Sequence, residues 1–74
     1  MAYRWQEITE SLRAAIGAGQ YPRGSRLPTE AELADSFAVN RHTVRRALKS
    51  LRDIGLVEPR QGSGVFVTGQ PRTY

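Results

Sequence analysis

Seventy-four residues set one small domain as the upper bound, and a domain of this size buries about 60% of the surface that its unfolded chain exposes. With 39% hydrophobic and 24% charged residues the composition is that of a folded domain, and no apolar run approaches the roughly 18 residues that span a membrane. There is no Cys, which excludes disulfides and thiolate metal sites, while a net charge of +4 favours acidic partners.

The start of the chain has no apolar stretch typical of a secretory signal, so the expected location is cytoplasmic, with no membrane partner. Trp5, Ile8, Leu12, Ala15 and Ile16 recur at spacings of three and four, which predicts an amphipathic helix over residues 4–18. That register assigns Trp5 to the core rather than to base stacking, and leaves Tyr3 and Arg4 outside the apolar face, within reach of a phosphate. Gly19 is the expected helix stop. Pro22, Gly24 and Pro28 then require a loop, in which Arg26 and Leu27 form a short extended piece able to pair with a later strand.

Thr29 followed by Glu30, Ala31 and Glu32 has the form of a capping box, and acids suit a positive helix N-terminus. Leu33, Ala34 and Phe37 give the second helix, residues 30–37, its apolar face. Ala38, Val39 and Asn40 follow as a turn, with Asn40 as the cap of the third helix.

The charge is concentrated in this third segment. Residues 1–40 hold four Arg against five acids, whereas residues 41–60 hold six Lys and Arg against two. At about 100° per residue, Val44, Ala47, Leu48, Leu51 and Ile54 fall within an arc of roughly 120°. Arg41, His42, Arg45, Arg46, Lys49 and Arg52 fill the other side. A merely solvated face normally mixes signs, so the segregation favours a surface built to press against a polyanion. Gly55 and Leu56 fit a left-handed helix end with an apolar residue just beyond it.

Residues 56–60 and 65–68 are two β-prone segments joined by Gln61, Gly62, Ser63 and Gly64, which predicts a hairpin. Pro59 lacks an N–H and belongs at an edge. Residues 69–74 read as the start of a linker, leaving residues 1–68 as the domain.

Two helices joined by a short turn, the second cationic and followed by a hairpin, describe a mainly α fold with a small β-hairpin, the winged helix-turn-helix. In that arrangement the third helix of the chain enters the major groove of double-stranded DNA and the wing lies over a neighbouring groove. Arg41 and Arg45 are one turn apart, and each guanidinium can donate two parallel hydrogen bonds to guanine O6 and N7 or clamp a phosphate. Thr43 either meets DNA, at a phosphate oxygen or a thymine methyl, or packs beside the core. Arg46, Lys49 and Arg52 lie where the DNA backbone passes. Gly62 and Ser63 at the hairpin tip let the main chain approach a groove floor, although tight turns demand the same residues. No phosphate-loop pattern is present.

His42 faces solvent or phosphate. It has no second imidazole or thiolate nearby in sequence for a metal, and no Ser, Cys or paired carboxylate at triad spacing, so no metal, cofactor or enzyme activity is expected. A second class of function stays open, a basic winged-helix module that binds an acidic protein partner.

The segments LPTEAELA (27–34), VNRHTVRRAL (39–48), GLV (55–57) and RQGSGVFV (60–67) closely resemble the DNA-binding domain of GntR-family bacterial transcription regulators. NRHT and RQGSG look most like the HutC-type branch, and the wording around NRHTVRRA resembles regulators of phosphonate-utilisation operons. The resemblance implies binding to a palindromic operator as a homodimer of the full-length protein, usually as a repressor released by a small-molecule effector. The effector would bind a domain outside these residues, of the HutC type or, in another branch, an aminotransferase-like one. By motif position Asn40, Arg41, Thr43 and Arg45 correspond to recognition-helix contacts, and Gly62 to the wing residue that reaches the minor groove. The chain departs from the family at Ala31, where many members carry a basic phosphate contact, and at Trp5, where many carry Tyr.

Overall fold

Every break in the helical pattern of the sequence becomes a chain reversal stabilised by its own hydrogen bonds. In the computed structural model, which describes residues 4–69, the order is α1 (Arg4–Gly17), α2 (Glu30–Phe37), α3 (Arg41–Asp53), β1 (Val57–Arg60) and β2 (Gly64–Val67). The expected contact of Tyr3 and the linker reading of residues 70–74 lie outside the described residues. Three helices and an antiparallel hairpin make the winged helix-turn-helix that the sequence predicts.

The α1 helix buries Ile8, Leu12 and Ile16, and its end is set by Gly19 at φ 85°. There the N–H of Gly19 donates to Ile16 O at 3.1 Å and that of Gln20 to Ala15 O at 3.0 Å, the paired bonds of a left-handed helix end. In α2 the capping box is complete. Thr29 Oγ1 accepts the Glu32 N–H at 3.1 Å, and Glu32 Oε1 accepts the Thr29 N–H at 2.8 Å.

The turn between α2 and α3 uses the same paired bonds, Val39 N–H to Ala34 O at 3.0 Å and Ala38 N–H to Asp35 O at 3.3 Å. Here the left-handed position holds Ala38, at φ 57° and ψ 47°, instead of Gly. A β-carbon in that conformation costs about 1–2 kcal/mol. Arg4 secures the turn from the other side: its Nη2 donates to Phe37 O at 2.6 Å while Nη1 pairs with Glu7 at 2.8 Å. The Arg4 guanidinium, expected outside the core face and near phosphate, is thus committed to holding α1 against the end of α2.

Asn40 caps α3, which buries Val44, Ala47, Leu48 and Leu51. Ile54, expected on that face, is 58% exposed. It is the helix cap, with φ −94° and ψ 5°, and so leaves the helical register one residue before the chain reverses at Gly55. Leu56 enters the core in its place, its N–H donating to Leu51 O at 3.1 Å.

In the hairpin Val57 pairs with Val67, Glu58 with Phe66, Pro59 with Val65 and Arg60 with Gly64. The free edge of β2 is covered by residues 24–27. Gly24 N–H donates to Val67 O at 2.8 Å, Val67 N–H to Ser25 O at 2.9 Å and Leu27 N–H to Val65 O at 2.8 Å, around the isolated bridge from Arg26 to Phe66. The extended piece expected at Arg26 and Leu27 therefore makes β2 a central strand. Leu27, Val57 and Val67 carry the sheet's inner face into one core with the three helices. Trp5, assigned to the core by its register, packs against that core only half-buried.

Candidate nucleic-acid interface

The first turn of α3 is organised by one amide oxygen. Asn40 Oδ1 accepts the Thr43 N–H at 2.8 Å and the Thr43 hydroxyl at 2.9 Å. The single hydroxyl proton of Thr43 is thereby used within the cap, which leaves its methyl group for an apolar contact, while the Asn40 NH2 keeps its two donors. Arg41 and His42 stand exposed beside this cap, and neither forms an ion pair among the described residues.

Further along the face each cation has a different neighbour. Arg45 Nε donates to both carboxylate oxygens of Glu30, at 3.0 and 3.1 Å, which fixes the guanidinium while its two terminal NH2 groups remain available. With the Arg45 side chain 60% exposed, the pair contributes orientation more than stability, at about 0–1 kcal/mol. Lys49 reaches Asp53 at 3.1 Å, one turn on. The Arg46 guanidinium carbon lies 4.7 Å from the centre of the Trp5 ring.

The wing stands across a hollow from the start of α3. That hollow, of about 470 Å³, is bordered by Arg41 on one side and by Arg60, Gly62 and Gly64 on the other, with Arg26 and Glu30 between them. At the tip, Gln61, Gly62 and Ser63 are exposed, and Gly62 has φ 77°. Gly64, at φ 111°, has a steric reason to be glycine as well, since a β-carbon there would come within 3.0 Å of Arg26 Cδ. Arg60 lies 4.7 Å over the Phe66 ring.

Arg45 and Lys49 border a second recess and Arg46 and Lys49 a third, beside Trp5, so that of the predicted residues Arg41 on α3 and Gly62 on the wing border this hollow. Sequence reasoning missed Arg26 and Glu30 as members. Arg26 arrives through its bridge to Phe66; its extended conformation was legible, but a partner forty residues away, and with it the place of the side chain beside the wing, was not. As a sequence feature Glu30 is only a helix-end acid; its partner, Arg45, lies one turn into the next helix but 15 residues away in sequence. Among the described residues no group of three or more His, Cys, Asp or Glu is placed to hold a metal, and no helix is long and apolar enough to cross a membrane.

Residues 4–67 match the family model of the bacterial regulatory proteins, gntR family. The chain belongs to the GntR family. It carries that family's winged-helix DNA-binding domain. It is 43% identical over 68 residues to the uncharacterized HTH-type transcriptional regulator RB1450 of Rhizobium meliloti (strain 1021), a match covering 92% of this chain and 28% of that protein. It is 45% identical over 71 residues to the probable transcriptional regulator PhnF of Escherichia coli (strain K12), covering 96% of this chain and 29% of that one. The chain therefore spans less than a third of the length of these curated relatives. Among solved structures, AraR(DBD) in complex with operator ORX1 superposes with a TM-score of 0.89 at 35% identity, over 92% of this chain and 82% of that one. BusR of S. agalactiae in complex with its busAB-promotor DNA gives a TM-score of 0.86 at 26% identity, over 95% and 34%.

Proposed function

We propose that residues 1–68 of this GntR-family chain bind double-stranded operator DNA with α3 in the major groove and the wing at the adjacent minor groove. The observation that carries this reading is the division of α3 into a buried side of Val44, Ala47, Leu48 and Leu51 and an exposed cationic side, with Arg41 at its start facing the wing across a hollow. Arg41 and Arg45 meet base edges, Arg45 already oriented by Glu30. Asn40 and His42 lie at the cap, where the free NH2 of Asn40 suits a phosphate oxygen, and the Thr43 methyl suits a thymine. Arg46 and Lys49 meet the backbone. Gln61, Gly62 and Ser63 supply the wing tip.

The finer assignment is to the HutC-type branch, as a cytoplasmic repressor that acts without catalysis. In it, residues 69–74 begin a linker to an effector-binding domain, and the full-length protein binds a palindromic operator as a homodimer released by a small molecule. Within that branch the resemblance around NRHTVRRA points to a phosphonate-utilisation operon as the target.

Binding-site selection from a random duplex pool, followed by salt titration of the recovered sequence, tests the reading. With five or six phosphates neutralised per domain, the log-log salt slope is expected near about −5. Arg41→Ala should cost about 1–3 kcal/mol and relax base preference, whereas Lys49→Ala should weaken all sequences alike. Absence of binding even at low salt overturns the proposal, and a uniform loss from both variants overturns the division of labour.

A further inference from the structure

The three cations in the middle of α3 are held in different ways. Arg45 and Lys49 are each paired with a carboxylate, Glu30 and Asp53, so an approaching phosphate must compete with a negative charge already in place. Arg46 is paired with none among the described residues and lies instead on the face of Trp5, 4.7 Å from the ring centre. An aromatic face attracts a guanidinium through its quadrupole without neutralising it, so the full positive charge and the N–H donors at the guanidinium edge remain directed outward.

Trp5 is itself fixed for this task. It packs half-buried against the core from the first turn of α1, and its carbonyl accepts the Thr9 hydroxyl at 2.8 Å. Its Nε1 is buried and has no hydrogen-bond partner among the described residues, so the indole N–H does not itself offer a donor to DNA. What Trp5 presents to the interface is its ring face, and Arg46 covers it. A shallow recess of about 170 Å³ adjoins the stack, bordered by Trp5, Arg46, Lys49, Ser50 and Asp53.

We propose that Trp5 is a positioning residue for DNA binding, holding the Arg46 guanidinium over its ring so that Arg46 meets one backbone phosphate already oriented. The inference rests on the DNA-binding reading above and deepens it. Backbone contacts are independent of sequence, so the probe is a random-sequence duplex titrated with salt.

In the chain as it stands, Trp5 is the single tryptophan, and its emission reports on the stack directly. Addition of the duplex should change that emission as Arg46 engages phosphate, and Arg46→Gln should abolish the change while lowering the salt slope by about 0.9. Trp5→Leu should weaken binding about two- to fivefold, Trp5→Phe should retain most of the affinity, and Trp5→Leu combined with Arg46→Gln should bind no worse than Arg46→Gln alone.

An emission response unchanged by Arg46→Gln overturns the inference, and so does a double variant whose losses simply add. The wild-type measurement stands even if Trp5→Leu fails to fold. Failure of the wild-type chain to bind any duplex would instead strike the DNA-binding reading itself.

Discussion

A single carboxylate in this chain shows how local hydrogen bonding becomes a dependence on acidity. Glu32 accepts the backbone N–H of Thr29 and, with smaller effect, interacts with its side chain, and these contacts hold the carboxyl below its ordinary value of 4.5. A group whose folded pKa is depressed adds stability above its unfolded pKa and loses it as pH falls through the folded one. Thermal unfolding followed downward from pH 4.5 should therefore lose midpoint more steeply in the wild type than in Glu32→Gln. The glutamine oxygen still accepts from Thr29 but does not titrate, and equal slopes for the two proteins would remove Glu32 from the acid response. Glu30, two residues earlier, illustrates the opposite economy: it belongs to the same helix start and yet spends its oxygens on Arg45.

At the scale of elements, the α2 to α3 turn is where the sequence departs from the best local choice. The other left-handed helix ends, after α1 and α3, use Gly19 and Gly55, but this turn uses Ala38. Ala38→Gly should raise stability by about 0.5–1 kcal/mol, the relief of left-handed strain exceeding the entropy that glycine adds to the unfolded chain. Chemical denaturation measures the difference, and a loss of stability would show that the Ala38 methyl makes a contact worth more than its strain. The limits of sequence reading follow the same line. Helix starts were legible because Thr29 and Asn40 act on amides three residues away, and Gly19 and Gly55 marked their stops for a similar reason. Ile54 was misplaced because helical periodicity extrapolates through a cap that has already left the helix. The core face of α3 was legible from spacing alone, but the partners on its exposed face were not. Glu30 and Trp5 reach Arg45 and Arg46 through packing of separate helices, and no periodicity in any one helix carries that information.

For the whole molecule, the decisive arrangement is that α1 lies behind α3 while the sheet closes the remaining side of the core. Ile8, Leu12 and Ile16 meet Leu33 of α2 and Val44, Ala47, Leu48 and Leu51 in one buried cluster, and Leu27, Leu56, Val57 and Val67 complete it. The cationic side of α3 is exposed because every apolar position on that helix before its cap is taken up by this cluster. Since the sheet shares the same core, folding sets the position of the wing together with that of the helix. Hydrogen exchange should show this as slow exchange at the amides of Gly24, Leu27 and Val67, close to that of the α3 interior, with the fast exchange of the hairpin at Gln61 and Gly62. Uniformly fast exchange across the hairpin would mean that the wing opens independently of the core.

The covered edge of β2 has one more consequence. A hairpin attached only at its base can tilt to suit whatever it meets, and surfaces of different widths would then be equivalent to it. With residues 24–27 hydrogen-bonded along its far side, β2 is clamped between two neighbours, and the gap from α3 to the wing becomes a set dimension of the protein. On the proposed reading the domain then behaves as a pair of calipers: a double helix whose groove spacing matches this dimension is met without distortion, and one of another spacing must itself deform.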